Sequence, residues 1–219
     1  LSYIQKLDIK IRTLPNFDEL TSGNLNTTNI SSLDINGLLG RSPVDLTYLS
    51  SNTNIKNKKV IVTGGGGSIG SELCRQISQL LPKILIIIEF NEFSLYSIQQ
   101  EIENYELKKK LKIIPILISV LDKNNLERIF KKYKPDTVFH AAAYKHVKIV
   151  EENPITGIYN NVFGTLNITE LSIKYQVSNF LLISTDKAVR PSNIMGVSKR
   201  LSELIVQARE KNTNTKFSI

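Results

Sequence analysis

The chain has one cysteine, one methionine, two histidines and no tryptophan among 219 residues. A single thiol, Cys74, excludes an internal disulfide and fits a reducing compartment. It follows a glycine-rich stretch on an expected helix and reads as a buried structural thiol. Two histidines and one cysteine do not make a zinc ligand set, so no metal is expected. The longest strongly apolar run, "ILIII" at 84–88, is far too short to span a bilayer, and no stretch reads as a signal peptide. The lysine clusters "LKKKLK" at 107–112 and "KKYK" at 131–134 lack the interleaved aromatics of a single-strand binder. They read as solvated ends that weakly attract anions, and no nucleic-acid partner is expected.

What is present is the composition of a soluble globular protein, 41% hydrophobic and 22% charged with a net charge of +8. The length suits one α/β domain with extra segments. The first residue is Leu and the last five, "TKFSI", read as a strand just beginning, so an excerpt of a longer protein is expected. Residues 1–20, with "IKIRTLP", read as the tail of a preceding domain, and 21–58, rich in Ser, Asn and Thr, as a linker arm. From 59 to 219 apolar runs alternate with amphipathic stretches. "KVIVT", "KILIIIE", "KIIPILIS", "DTVFHAA" and "NFLLIST" read as strands. Helices are expected over 68–80, 92–108 and 122–132, over a long run from Asn153 to Tyr175, and over 192–211. In the first of these, Ile69, Leu73, Ile77 and Leu80 share one face. Such alternation predicts a Rossmann-like, doubly wound parallel sheet covered on both faces.

"VTGGGGSIGSE" at 62–72 sets Gly64, Gly67 and Gly70 three apart between a strand and a helix. The first allows a tight turn, the second a close approach of backbone to pyrophosphate, and the third close helix–strand packing. The N–H groups at the helix start, Ser68 and Ile69, then face the phosphates. Glu89 ends the second strand about 20 residues beyond the loop, where a carboxylate accepts from ribose hydroxyls and repels a 2′-phosphate. NAD is therefore expected over NADP. Asn91 and Glu92 read as helix-capping residues. In "HAAAYKHV" at 140–147, Ala141, Ala142 and Ala143 let a cofactor lie against backbone, and His140 reads as structural. Lys145 and His146 are candidates to meet an anionic substrate, with a surface lysine and a satisfied loop histidine as the alternatives. Asn161, in a helix where Asn has poor preference, is a candidate to support the active-site helix beside the cofactor. "ISTDKAVRPSNIMGVSK" at 183–199 holds Thr185, Asp186 and Lys187 in a row. Met195 and Lys199 follow, four apart on one helix face.

With these residues laid out, the chain resembles the extended short-chain dehydrogenase/reductases. More narrowly it is similar to the membrane-anchored UDP-N-acetylglucosamine 4,6-dehydratases. "IRTLPNFDELTSG", "DINGLLGRSPV", the glycine loop, "HAAAYKHV", "NNVFGTLN" and "STDKAVRPSNIMGVSKR" carry the likeness. The resemblance implies transmembrane helices and a cytoplasmic domain before the excerpt. It also implies a smaller C-terminal domain that helps hold the UDP-sugar, a homo-oligomer, and a parent at the cytoplasmic face of the bacterial inner membrane. Two departures stand out. Ser119 occupies the adenine-facing position usually held by Asp, and Lys148 stands where Pro is common.

The resemblance also implies a reaction. NAD accepts hydride from sugar C4, a base removes the C5 proton, an acid helps the C6 hydroxyl leave, and hydride returns to C6. By position Lys187 is the base and Asp186 the acid. Burial and nearby cofactor charge are expected to hold Lys187 neutral and Asp186 protonated. Thr185 is placed at the C4 hydroxyl and Lys199 at the nicotinamide ribose. Met195 stands where many such enzymes carry Tyr, and a thioether is only a weak acceptor. The C4 proton is then expected to travel by Thr185, a water or ribose hydroxyl, and Lys199. A UDP-sugar epimerase of the same superfamily and a non-catalytic NAD- or nucleotide-sugar-binding module are the alternatives.

Overall fold

The computed structural model describes residues 55–106, 111–210 and 213–219. Residues 1–54, and with them the expected preceding-domain tail and most of the linker arm, lie outside the described residues. Ile55 is buried in the core four residues ahead of the first strand.

Six strands form one parallel sheet: β1 (Lys59–Thr63), β2 (Ile84–Glu89), β3 (Lys112–Leu117), β4 (Thr137–His140), β5 (Asn179–Leu182) and β6 (Lys216–Ser218). Their order, β3-β2-β1-β4-β5-β6, is that of the doubly wound Rossmann-like fold. The helices are α1 (Ser68–Gln79), α2 (Glu92–Glu106), α3 (Lys123–Tyr133), α4 (Val147–Glu152), α5 (Pro154–Ile158), α6 (Gly164–Lys174) and α7 (Ile194–Glu210). Among the described residues no helix is long and apolar enough to cross a membrane.

Side chains alternate across a strand, so each central strand feeds two cores. Val60, Val62, Leu85 and Ile87 pack with Cys74 and Ile77 of α1 and with Leu95, Ile98 and Ile102 of α2. Ile61, Ile86, Ile88 and Val138 face the other way, onto Phe130 of α3, Ile168 and Leu171 of α6, and Val206 of α7. Each such side chain, fully buried, contributes about 1.5–3 kcal/mol before chain entropy is set against it. This two-sided burial makes the strands read as unbroken apolar runs. The edge strands differ: β6 buries only Phe217, and β3 is only partly buried and accommodates Pro115.

Two expectations need correction. The run from Asn153 to Tyr175 is not one α-helix: α5 passes into a π-turn (Tyr159–Phe163) before α6 begins. The wider turn lets adjacent Asn160 and Asn161 both point inward, where both are buried. A separate short helix, α4, also precedes it, and its Val150 packs against Gly157, where a Cβ would lie 2.6 Å from the valine methyl. Secondly, Ile69 does not share the buried face of Ile77. It is 53% exposed, because the first turn of α1 projects past the strand ends into a groove.

The sheet and α1 meet at one very close contact. A Cβ on Gly70 would lie 1.9 Å from the Gly64 carbonyl oxygen, whereas one on Gly67 would lie 3.2 Å from the same atom. Gly70→Ala is therefore expected to destabilise the fold by about 1–3 kcal/mol. Gly67→Ala should cost distinctly less, as read from urea midpoints of the two variants.

Candidate functional site

The residues singled out in the sequence gather at the carboxyl ends of the parallel strands, where β1 and β4 diverge to opposite halves of the sheet. That switch point is where open α/β sheets present a ligand crevice. At the end of β1 the chain turns through Gly64 with φ of 67°, and a Cβ there would meet the Ala142 backbone at 2.6 Å. Only glycine satisfies both demands. The N–H groups of Gly64 and Gly65 donate to the Ile88 carbonyl at 2.8 and 3.3 Å, tying the loop to β2. α1 starts after Gly67 with no side-chain cap and no acidic residue in its first turn. Its first N–H groups and the positive end of its dipole are thus left for an anion.

Glu89 is only 6% exposed, and its burial is compensated by three backbone donors. One carboxylate oxygen accepts from Phe90 at 2.9 Å and Asn91 at 3.1 Å, and the other from Gly66 at 3.0 Å. Glu89 therefore fixes the glycine loop as well as lining a cavity of about 290 Å³ with Ser119, Ala142 and Asn160. Its four acceptor sites leave capacity for a ribose hydroxyl. Ser119 accepts from the Leu121 N–H at 3.2 Å, and Asn91 caps α2 by accepting from Ser94 at 2.9 Å.

Beyond the glycine loop opens a larger cavity of about 730 Å³, reached by Ser68, Ile69, Lys145, His146, Thr185, Lys187, Met195 and Lys199. Ala141 and Ala143 line both cavities. Met195 and Lys199 are both buried on one face of α7. The Lys199 ammonium donates to the Ile183 carbonyl at 2.6 Å. Burial pushes its pKa down to about 8 from 10.5, against the opposing pull of Glu203. Glu203 in turn accepts from Ser184 at 2.6 Å, joining α7 to the end of β5. Gly196 lets α7 approach the Lys187 carbonyl so closely that a Cβ would lie 2.3 Å from it.

Asp186 and Lys187 stand on a single 3₁₀ turn (Asp186–Ala188) whose N-cap is Thr185. The expected burial of the pair does not hold: the Asp186 side chain is 87% exposed and that of Lys187 50%. The Thr185 hydroxyl donates to Asp186 at 2.9 Å, and Lys187 lies 3.4 Å from the same oxygen. The hydroxyl first, and then the ammonium, lower the Asp186 pKa below its ordinary value. Ala188 anchors the turn in the core, while among the described residues the Asp186 and Lys187 side chains project from the rim into solvent, which is why solvation wins. Lys187 lines the large cavity.

Asn161 does not touch either cavity. Its side-chain oxygen accepts from the Tyr144 N–H at 2.7 Å, and its amide donates to the Tyr144 carbonyl at 3.0 Å and to Ser198 at 2.9 Å. It braces the loop after β4 against α7, while its neighbour Asn160 lines the smaller cavity. His140 is structural as expected. Thr63 donates to Nδ1 at 2.6 Å, Nε2 donates to Thr165 at 3.0 Å, and Thr165 donates on to the Asn161 carbonyl at 2.6 Å. This chain of donors assigns a neutral tautomer, and burial, with the Lys199 charge behind it, lowers the pKa to about 3.

Lys145 donates to Ser68 at 3.0 Å, which brings its ammonium to the start of α1. His146 is the exposed N-cap residue of α4, and Lys148 is exposed on the same helix. Tyr144, Phe90 and Asn160 line the site without having been singled out in the sequence. The signal for Asn160 was available in the paired asparagines of "NNVF", two amides side by side in a helical run. Phe90 and Tyr144 carried no such signal.

The family described as "Polysaccharide biosynthesis protein" matches residues 60–219. The capsular polysaccharide biosynthesis protein CapD of Staphylococcus aureus is 40% identical over 210 residues, covering 95% of this chain and 35% of that protein. The probable polysaccharide biosynthesis protein EpsC of Bacillus subtilis is 41% identical over 209 residues, with the same coverage, 95% and 35%. The chain thus spans about a third of the length of these relatives. Among solved structures, a UDP-glucose 4-epimerase from Stenotrophomonas maltophila with bound NAD and formylated UDP-arabinopyranose aligns with a TM-score of 0.65. It is 19% identical, covering 74% of this chain and 52% of that one, a likeness of fold.

The depressed Lys199 pKa has a measurable consequence. Between about 8 and 10.5 the unfolded chain holds this proton and the folded chain does not. Native stability should therefore rise with pH through that window on account of this group, the cost of a buried charge being present below it. The Lys199 side-chain ¹³Cε resonance is expected to titrate near pH 8 in the folded protein. A midpoint at the ordinary lysine value would contradict the burial described.

Proposed function

The chain belongs to the polysaccharide biosynthesis protein family, and from that membership we propose that it is the cofactor-binding part of an NAD-dependent UDP-N-acetyl-hexosamine 4,6-dehydratase. Its substrate on this reading is UDP-N-acetylglucosamine, and its product a 4-keto-6-deoxy sugar for glycan assembly. The parent is a homo-oligomer held at the cytoplasmic face of the bacterial inner membrane by segments outside this chain.

The observation that carries the proposal is the Thr185-Asp186-Lys187 turn, with Thr185 and Lys187 facing the same large cavity as Met195 and Lys199. A simple 4-epimerase moves hydride out and back at C4 and has no use for a C5 base. The residues fit a dinucleotide on structural grounds: Gly64 and Gly70 leave no room for a Cβ, and α1 presents an uncapped N-terminus between the two cavities. Gly64, Gly67, Ser68, Ile69 and Gly70 hold its pyrophosphate, Glu89 and Ser119 its adenosine end, and Lys199 its nicotinamide ribose. A bound NAD would supply the hydride acceptor for C4 and the hydride donor for C6.

The chain's own groups handle the protons. The Thr185 hydroxyl already donates to Asp186 and accepts weakly from the Lys187 N–H at 3.4 Å, which leaves it one lone pair to accept the C4 hydroxyl proton while its own proton passes to the carboxylate. Asp186 is thereby loaded as an acid and gives that proton to the departing C6 hydroxyl, releasing water. Lys187 takes the C5 proton and later returns it to C5. Met195 supplies an apolar wall rather than a base, and the relay needs no phenolate. The Lys199 charge keeps the local field positive.

Mass spectrometry of UDP-N-acetylglucosamine incubated with the full-length protein and NAD should show loss of one water with no net NADH. An unchanged mass with altered sugar configuration would convert the reading to an epimerase. Thr185→Val is expected to lower dehydration by about 10²-fold or more while leaving NAD binding intact, since it removes the relay's first acceptor. Retained turnover in that variant would sink the relay.

A further inference from the structure

Phe90 follows β2 and Tyr144 follows β4, and these strands are not neighbours. β1 lies between them and pairs with both. Two strand spacings separate their ends by about 10 Å. The two side chains nevertheless meet: their ring centroids are 6.2 Å apart at an interplanar angle of 80°, an edge-to-face pair. The contact spans the carboxyl end of β1, from which the glycine loop emerges. Both rings line the smaller cavity with Gly64, Gly66 and Gly67, and Tyr144 also lines the larger one.

The two partners are held differently. Asn161 bonds both the N–H and the carbonyl of Tyr144, so the tyrosine backbone is fixed. Phe90 is tethered by its N–H to Glu89, yet its side chain is 59% exposed. Phe90 is thus the more exposed and less tethered half of the pair.

We propose that Phe90 and Tyr144 form an aromatic clasp across the glycine loop that retains a bound dinucleotide, Phe90 swinging away to let it exchange. This rests on the dinucleotide reading of the glycine loop and Glu89, and not on the identity of the sugar. A ligand that occupies both cavities passes Tyr144, which lines both, and Phe90 packs against that ring from the wall of the smaller one. Slow exchange suits a site in which the cofactor ends each turnover in the form in which it began.

The test is a displacement experiment on the full-length protein: bound NADH is chased with excess NAD and its fluorescence followed. Phe90→Ala and Tyr144→Ala are each expected to speed release by about two- to twelvefold, the range a ring pair supports, and association through the same passage by no more than that. Tyr144→Phe should behave as wild type, because the ring and not the hydroxyl makes the contact. The double alanine variant should release no faster than either single one, because the pair acts as a unit. Unchanged release in both single variants, additive acceleration, or a loss confined to association would overturn the clasp. Wild-type protein that binds no NADH would instead overturn the dinucleotide reading beneath it.

Discussion

The site depends on one carboxamide. Asn161 holds the loop after β4 by both polar groups of Tyr144 and reaches α7 through Ser198. Its own carbonyl accepts from Thr165 at 2.6 Å and Ser202 at 2.9 Å, and the Thr165 hydroxyl continues the chain to His140 and Thr63. The end of β1, the loop after β4, the π-turn and α7 are thus joined by hydrogen bonds that are buried except for the two part-buried ones to Tyr144. Such a network is stabilising only when every member is satisfied, because an orphaned polar group in a dry interior costs about 1–3 kcal/mol. Satisfaction here explains the π-turn. A regular helix would swing one of the two asparagines out, and either the loop brace or the wall of the smaller cavity would be lost.

Rigidity of this kind leaves the electrostatics uneven across one short segment. Lys199 is buried and its charge is disfavoured, while Asp186, thirteen residues earlier, is solvated and held as an anion. The difference follows from position. α7 is packed against the end of β5 by the Ser184–Glu203 bond, whereas the 3₁₀ turn projects beyond it. Glu203 lies one turn beyond Lys199 and offsets part of the desolvation, which keeps an ammonium there accessible near neutral pH.

Much of this was legible in the sequence because it is local. The glycine loop, Glu89 at the end of β2 and the five longer strands each declare themselves within a few residues, and their alternation with helices implies a doubly wound parallel sheet, though not its strand order. What was not legible depends on partners distant in the chain. Ile69 has the helical spacing of a core residue, but its neighbourhood is set by where the sheet ends. Lys145 meets Ser68 across 77 positions, and Phe90 meets Tyr144 across an intervening strand. Periodicity cannot see a π-turn either, since the residues of "YNNVF" are compatible with a plain helix until His140 and α7 are placed beside it. The burial expected for Asp186 failed for the same reason: a motif fixes which residues adjoin, not what covers them.

That failure narrows the chemistry. An exposed aspartate that accepts from Thr185 and lies beside an ammonium is a poor acid, because each neighbour favours its charged form. It becomes an acid only if a proton is delivered to it, or if water is removed from around it. On the proposed function, a sugar seated against Thr185 would do both: its hydroxyl would supply the proton through the threonine, and its ring would displace solvent from the turn, strengthening the interactions left there. The solvated state of the turn is then not evidence against acid–base work. On that proposal it would be the resting state of a pair that substrate completes, with Lys199 and Met195 already buried and Asp186 still exposed.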